Sequence, residues 1–332
     1  MESMRRLDRN EQLVTIADDA RLAILRRVMA RPLTITQLGE MFGRHPAWIR
    51  HHILMLQRAG LVELAEERQV RNYTEKYYRA SARAYRADVL IVPDAGDNPE
   101  VVVLGSHDLA LQSLADVTAA SGGPAVVPVA IGSLDGLIAL RQGLADVAGC
   151  HLLDTDSDDY NAPYVRHLFP DRQVTMFTLA HREQGLITAP GNPLGLRSLD
   201  DVVAKRVRIA NRNPGSGTRI WVDRKLRSLG IDPEDLPGSE SVHYTHSGAA
   251  RAVQRHEADV TVGLRAAATS RGLGFVPLFM ERFDLVIAPD ALDAPKLDPL
   301  LNMLEGRAFK KRVSAFDGYD PTHTGEEFRV AV

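Results

Sequence analysis

The sequence predicts a multidomain chain in which a small helical segment closed by a β-hairpin precedes a larger α/β body. Three observations predict it. Residues 1–86 hold 16 Lys/Arg against 10 Asp/Glu, whereas residues 87–332 hold 24 against 33, so a basic front is joined to an acidic body. The front places apolar residues at helical spacing between Gly and Pro breaks. The body alternates short β-rich runs with helical ones, the pattern of strands and helices packed in layers. At 332 residues the chain is long enough for about two domains and needs no disulfide staples. The single cysteine, Cys150, has no disulfide partner and no Cys-x-x-Cys spacing, and reads as a small buried apolar residue. No apolar run approaches the ~20 residues of a membrane span, and the first ten residues lack the apolar stretch of a secretion signal. A cytoplasmic protein is expected.

Residues 17–30 carry Leu22, Ile24, Leu25 and Val28 on one helical face, with Asp18 and Asp19 where carboxylates suit the helix dipole. Pro32 ends this helix. Thr34 offers an N-cap for a short helix with Ile35, Leu38 and Met41, which Gly43 closes. A third helix, from Pro46 to Gly60, turns Ile49, Ile53 and Leu56 inward. Arg44, Ala47, Trp48, His51 and Met55 then face outward, with Arg50 on the rim. That face mixes cations, a hydrogen-bonding ring and apolar contacts, the chemistry a major groove requires. Residues 61–65 and 70–74 read as two strands around a polar turn at residues 66–69. Three helices and a hairpin make a winged helix-turn-helix, assigned to residues 1–75.

The motifs Ala20-Arg21-Leu22-x-Ile24-Leu25, the helix-turn-helix of residues 36–56, and Ala59-Gly60-Leu61-Val62 leading to Arg71 and Tyr73 carry a resemblance. Over about residues 10–85 the chain resembles the ArsR-like winged-helix regulators. The resemblance implies that the third helix enters the major groove of double-stranded operator DNA through Arg44, His45, Ala47, Trp48, Arg50 and His51. It implies too that Arg68 and Arg71 of the wing meet the phosphate backbone. The cysteine pairs of metal-sensing members have no counterpart. A winged helix can also serve as a protein-interaction module. Residues 74–88, free of Gly and Pro, read as a connecting helix that pairs a homodimer or packs on its own domain. Residues 93–99 read as a turn-rich linker, completing a connecting region assigned to 76–99.

In the body, strand-like runs at 101–104, 126–131, 174–179, 207–210 and 258–263 alternate with helical runs at 109–120, 134–142 and 218–229. That order argues an α/β domain with mainly parallel strands. Three junctions, Gly105-Ser106-His107-Asp108, Gly132-Ser133-Leu134-Asp135 and Pro214-Gly215-Ser216-Gly217-Thr218-Arg219, place glycine and hydroxyl residues where a helix begins. Free N–H groups and the helix dipole favour an anion there, although the same residues are ordinary N-caps.

Longer motifs follow: Gly132-Ser133-Leu134-x-Gly136-Leu137, Gly143-x-Ala145-Asp146-x-Ala148-Gly149-x-His151-Leu152-Leu153-Asp154, Tyr160-Asn161-x-Pro163, Arg182-Glu183-Gln184-Gly185-Leu186, Gly191-Asn192-Pro193, Asn211-Arg212, and Tyr244-Thr245-His246. With them the body resembles type 2 periplasmic-binding-protein domains over about residues 100–315, most closely the molybdate-binding-like domain fused to bacterial helix-turn-helix regulators. The resemblance implies a two-lobe α/β fold over 100–332, with lobe one at 100–180 and 282–332 and lobe two at 181–281. It implies an interlobe cleft lined by Ser106, His107, Ser133, Tyr160 and Asn161 from lobe one, and by Glu183, Arg212, Ser216, Thr218, Arg219 and His246 from lobe two. Hydroxyls, amides and guanidinium groups suit a small oxyanion effector, molybdate or tungstate, with no cofactor. Asp156, Asp158 and Asp159 before Tyr160, together with Asp108, Asp135 and Glu183, favour an amine-bearing organic ligand if they point inward. Glu183 also suits a salt bridge or hinge hydrogen bond. His151 with Asp154, and His243 with His246, lack a third ligand close in sequence and read as packed or surface histidines, so no metal site is expected.

The function expected is a ligand-responsive one-component transcriptional regulator, not an enzyme. An organic effector in the same architecture is the main alternative. A hydrolase using Ser133 or Ser216 with His107 or His246 lacks a nucleophile motif such as Gly-x-Ser-x-Gly. A transporter's solute receptor would need an export signal or an anchor.

Overall fold

The computed structural model describes residues 2–7, 9–70, 73–87, 91 and 100–330. The chain divides into two compact units, Met1–Ile91 and Val92–Val332.

The first unit runs β1 (Arg5–Leu7), α1 (Asn10–Ile16), α2 (Asp19–Ala30), β2 (Leu33–Thr34), α3 (Ile35–Phe42), α4 (Pro46–Arg58), β3 (Val62–Val70), β4 (Tyr73–Ala80) and β5 (Tyr85–Ala87). Asp18 caps α2 by accepting the Arg21 N–H, and Thr34 with Gln37 forms a capping box on α3. Gly43, at φ +60°, ends α3 in the left-handed region that glycine reaches without strain. Ile24, Leu25, Val28, Leu38, Ile49, Ile53 and Leu56 make one core. A three-stranded sheet, in the order β2-β4-β3, packs on it.

Two expectations are corrected in this unit. Residues 66–69 are not a turn but part of β3, which pairs with β4 from Val62↔Ala80 to Val70↔Tyr73. The connecting helix expected over 74–88 is absent among the described residues, where β4 and β5 stand instead. The physical reason is cross-strand pairing. Lys76 meets Glu67 at 3.0 Å, Arg79 meets Glu63 at 2.8 Å, and Tyr78 packs on the core, so a period of two overrides helix propensity. The first unit therefore extends past residue 75. The linker expected at 93–99 lies outside the described residues.

The second unit begins with β6 (Glu100–Gly105), α5 (Leu109–Ala120), β7 (Ala125–Ala130), α6 (Ser133–Arg141), β8 (Val147–Cys150), β9 (Leu153–Asp154), β10 (Asp159–Tyr160) and α7 (Ala162–Leu168). It continues with β11 (Val174–Thr188), α8 (Leu199–Ala204), β12 (Ile209–Arg212), α9 (Gly217–Ser228), β13 (Val242–His243), α10 (His246–Gln254), β14 (Val260–Leu264) and α11 (Arg265–Thr269). It closes with β15 (Gly274–Ile287), α12 (Pro289–Leu292), α13 (Asp298–Glu305), α14 (Arg307–Val313), β16 (Tyr319–Asp320) and β17 (Glu327–Val330).

The main sheet has the order β13-β12-β14-β11-β15-β8-β6-β7, with β16 and β17 on β11. Parallel pairs lie at its two ends, β7-β6-β8 in lobe one and β14-β12-β13 in lobe two. Between them β11 and β15 run antiparallel to each other, with β8 joined to residues 284–287 and β14 to residues 184–188. The expectation of mainly parallel strands is thus corrected. Two strands must cross between the lobes in opposite directions for the chain to leave lobe one and return, and they make the centre of the sheet antiparallel. A strand of 15 residues such as β11 spans about 50 Å, enough to belong to both lobes. One apolar cluster holds Val103, Leu114 and Phe309 and continues to Ala250, Leu264 and Ala266 of lobe two, and a second holds Val202, Ile209 and Leu226. Among the described residues no helix is long and apolar enough to cross a membrane.

Candidate ligand-binding site

The helices α5, α6 and α9 begin at the three junctions that the sequence marks with small and hydroxyl residues, α10 begins after the N-cap Thr245, and the lobes touch at the second and third junctions. The Leu134 N–H donates to the Gly215 carbonyl at 3.1 Å, and Asn213 Nδ2 donates to the Ile131 carbonyl at 3.1 Å. Glycine permits this approach. A Cβ on Gly132, at φ +112°, would lie 2.9 Å from the Gly215 carbonyl carbon, and one on Gly217 would overlap the His151 carbonyl oxygen. At either place a side chain would force the facing backbone to shift.

A buried ionic network sits where β11 and β15 cross. Arg182 and Glu281 are directly paired in register, and Arg182 Nε donates to Glu281 Oε1 at 2.6 Å. The same guanidinium pairs with Asp108, which also accepts the Tyr319 hydroxyl at 2.7 Å. His151 Nδ1 lies 2.8 Å from Glu281 Oε2, and Gln184 Nε2 donates to Glu281 Oε1 at 2.8 Å. Burial alone would raise the Glu281 carboxyl, but Arg182 and His151 outweigh it and hold the group at about 2.

Arg212, 2 % exposed, is different. Its Nε and Nη2 donate to the His243 and Tyr244 carbonyls at 3.1 and 3.0 Å, and among the described residues it has no carboxylate partner. Burial, reinforced by the positive charge of Arg182, pushes it down to about 9. Burial likewise lowers His107 to about 4, with Arg212 and Arg182 adding to the effect. It drives His246 well below the usual histidine range, again helped by Arg212 and Arg182. The rings of His107 and His246 lie 6.2 Å apart.

Among the described residues, eleven buried side-chain nitrogens and oxygens have no hydrogen-bond partner within the protein, and nine of them belong to this neighbourhood. They are His107 Nδ1, His151 Nε2, Arg182 Nη2, Gln184 Oε1, Asn211 Nδ2, Arg212 Nη1, Asn213 Oδ1 and both ring nitrogens of His246. Buried polar atoms are nearly always satisfied in native proteins, so such a concentration marks a place built to meet something polar.

The structure brings together seven of the eleven cleft residues expected from the sequence. The Ser106 and Ser133 hydroxyls hydrogen-bond at 2.8 Å, and Ser133 Oγ accepts the His151 N–H. Ser216 caps α9, Thr218 Oγ1 accepts from Gln184 at 3.1 Å, and His107, Arg212 and His246 lie close enough for their charges and rings to interact. Tyr160 stands at the edge, half-buried, its hydroxyl 3.4 Å from the Met280 carbonyl. Three expectations are corrected. Asn161 uses its whole amide internally, on Leu152, Cys150 and Asp284, and so shapes the turn before α7. Glu183 pairs with Arg265 on the opposite face of β11 from Arg182, the alternation of a strand deciding between neighbours. Arg219 pairs with Asp223 one helical turn on, at 2.6 Å.

Of the carboxylates that would have favoured an amine, Asp135 is exposed beside Gly215 at the lobe junction. Asp156 and Asp158 are exposed, Asp159 pairs with Arg282, and Asp108 is committed to Arg182. Sequence reasoning missed Arg182, Gln184, Glu281 and His151 as cleft residues. The available signal was the period of two along residues 182–184, which puts Arg182 and Gln184 on one face. No cluster of three potential metal ligands occurs among the described residues.

On the first unit, Arg44, His45, Ala47, Arg50 and His51 are exposed along the start of α4, and Trp48 is half-buried with Arg44 stacked 5.4 Å from its ring. His45 Nδ1 accepts the Ala47 N–H. Arg68, on β3, stacks over Tyr77 at 4.6 Å and pairs with Glu66. Arg71 lies outside the described residues.

The PBP superfamily domain matches residues 81–305, two thirds of the chain, and the protein belongs to that superfamily. Over 195 residues it is 32 % identical to the uncharacterized protein YvgK of Bacillus subtilis (strain 168), covering 59 % of this chain and 63 % of that one. The chain thus spans somewhat less than two thirds of that relative's length. It is 31 % identical over 108 residues to an uncharacterized protein encoded in the 5′ region of a 2Fe-2S ferredoxin gene of Clostridium pasteurianum, covering 32 % of this chain and 96 % of that one. Among solved structures it resembles a Clostridium perfringens protein described as a phosphate ABC transporter substrate-binding protein with bound phosphate. The TM-score is 0.51 and the identity 14 %, over 65 % of this chain and 96 % of that one. That likeness concerns the fold.

Proposed function

We propose that this protein is a cytoplasmic one-component transcriptional regulator that senses a small oxyanion between the two lobes of its second unit. The observation that carries the ligand reading is Arg212, a fully buried guanidinium with no carboxylate partner and a free Nη1, amid eight further unpartnered polar atoms. An anion with several acceptor oxygens meets that need directly. Four helix N-termini add their partial positive charge.

The regulator reading rests on the first unit, which we read as an ArsR-like winged helix that binds operator DNA as a homodimer. It is supported by the exposed cations and the half-buried Trp48 along α4, by Arg68 on the hairpin, and by the basic balance of residues 1–86. Arg71 takes its wing role in this proposal from the sequence. Ligand binding would favour one global state over another, a coupling of typically ~1–3 kcal/mol.

The protein is a binder and not a catalyst in this reading. Neither Ser133 nor Ser216 has a histidine ring nitrogen on its hydroxyl: the partners of the first are Ser106 and a backbone N–H, and the second donates to the Asn213 carbonyl.

The test is thermal unfolding of the full chain with molybdate, tungstate, phosphate, sulfate, amino acids and small carboxylates. An anion at 100 times its Kd adds ~2.7 kcal/mol to the native state, a visible shift. Stabilisation by an oxyanion supports the reading, and stabilisation only by amino acids or amines overturns the oxyanion. DNA fragments selected from a random pool, followed by fluorescence anisotropy with and without the stabilising anion, test the regulator. No selectable site, or an affinity that ignores the anion, refutes it.

A further inference from the structure

Residues 318–330 lie as a strap along one edge of β11. Within it β16 pairs with residues 181–182 and β17 with residues 174–177, while β14 takes the same edge from Gln184 onward. Between its two strands the strap is fastened by the Thr324 hydroxyl, which donates to the Leu179 carbonyl at 2.7 Å, and by the Gly325 N–H, which donates to the Thr178 carbonyl at 2.8 Å. Its first turn fits closely where β11 passes from one lobe to the other. The Glu183 N–H donates to the Gly318 carbonyl at 2.7 Å. A Cβ on Gly318, at φ +80°, would lie 2.8 Å from Cβ of Arg265, the ion-pair partner of Glu183.

The next residue reaches inward. Tyr319, 8 % exposed, donates its hydroxyl to the same Asp108 oxygen that accepts from Arg182. Burial, with the charge of Asp108, pushes that hydroxyl well above the usual tyrosine range, so it keeps its proton and stays a donor. The other Asp108 oxygen accepts the Leu111 N–H at the start of α5. Tyr319 thus joins the buried charges to a strap whose outer side exposes Asp320, Glu326 and Glu327.

Arg182 is already matched by two carboxylates, those of Asp108 and Glu281, and its Nη2 has no partner within the protein. An anion on Nη2 gives that guanidinium a third negative charge to serve. Asp108 then leans harder on the neutral donor that remains to the same oxygen, the Tyr319 hydroxyl. We propose that the strap of residues 318–330 is a conformational readout of cleft occupancy, drawn onto β11 through Tyr319 and Asp108 when an anion sits on Arg182. This rests on the oxyanion reading above and adds to it a route from the cleft to the surface, through the bias of a local opening equilibrium.

The experiment is hydrogen exchange followed by mass spectrometry on the full chain, with and without molybdate, tungstate, phosphate or sulfate, beside calorimetry that reports which of the four bind. The helix α13, in the same lobe, is the reference for slowing that comes from global stability. With a bound anion, exchange over residues 318–330 should slow about fivefold or more beyond α13. Tyr319→Phe keeps the ring beside Phe316, 5.4 Å away, but removes the donor, and the extra slowing should vanish. Thr324→Val loosens the strap away from Asp108, so exchange should rise with and without anion while the extra slowing persists. A structural role alone would make the two variants alike. An anion that binds without extra slowing, or a Tyr319→Phe chain that binds it and keeps the slowing, overturns this inference and leaves the oxyanion reading standing. Binding of none of the four overturns both. The native comparison decides the matter if a variant does not fold.

Discussion

Replacing Arg212 by methionine should make the protein more stable and unable to respond to oxyanions. The group is charged at pH 7 yet sits at about 9, held down by burial and by Arg182. At 1.36 kcal/mol per pH unit, its displacement from the ordinary arginine value amounts to about 5 kcal/mol of unfavourable burial of charge. Methionine fills similar volume without that cost, but it takes one of two donors from the His243 carbonyl, which keeps the Asn213 N–H, and removes the Arg212 donor from the Tyr244 carbonyl. Two lost hydrogen bonds from a charged donor to part-buried carbonyls cost about 2–4 kcal/mol. The balance is a gain of about 1–3 kcal/mol, which for a unit of this size is a rise in melting temperature of roughly 2–10 °C. The assay is thermal unfolding by circular dichroism, with and without the stabilising oxyanion. The reasoning is refuted if Arg212→Met melts below the native protein, or if the anion shifts both by the same amount.

Other substitutions and pH should separate the parts of the molecule. Arg182→Gln strands Asp108 and Glu281 in the core and should cost about 3–5 kcal/mol in urea unfolding, the reverse of the Arg212 variant. Gly217→Ala drives a methyl group into the His151 carbonyl and should weaken oxyanion binding roughly ten- to a hundredfold by calorimetry, with the far-ultraviolet spectrum unchanged. Acid should act in two stages. His107 and His246 have folded pKa values below the histidine range, so the unfolded chain takes up protons that the native cleft refuses, and stability falls as pH drops from 6.5 towards 4. The ionised Glu281 adds its own stability above pH 4.5, which is lost as pH falls towards 2. A urea midpoint that stays flat between pH 6.5 and 4 contradicts the first stage. Arg50→Ala should weaken DNA binding and lower its salt slope by about one while leaving the anion-induced melting shift intact; Arg219→Ala should alter neither.

Local signals carried far along this chain. Caps and breakers such as Asp18, Thr34, Gly43 and Pro46 act on their own turn of backbone, and the helices they delimit stand where the sequence puts them. The junction motifs around Ser106, Ser133 and Ser216 also lie at helix starts, because the same residues suit an N-cap and an anion. Residues 74–88 went the other way, since nothing within that stretch states that Lys76 and Arg79 will face Glu67 and Glu63 on another strand.

The sequence by itself determined the division into a basic helical unit and an acidic α/β unit, the helix starts that face the cleft, and the glycines that let the lobes meet. These follow from propensity, charge and periodicity, which act over a few residues. Only the tertiary structure decided which charged side chains are buried where the lobes meet. Arg182 and Glu281 lie 99 residues apart and pair because β11 and β15 cross in register, while Glu183 and Arg219 find nearer partners and turn away. Burial then separated two arginines of identical type: Arg182 is neutralised by two carboxylates, and Arg212 is left without one, because desolvation and pairing are properties of the packed core and not of the residue.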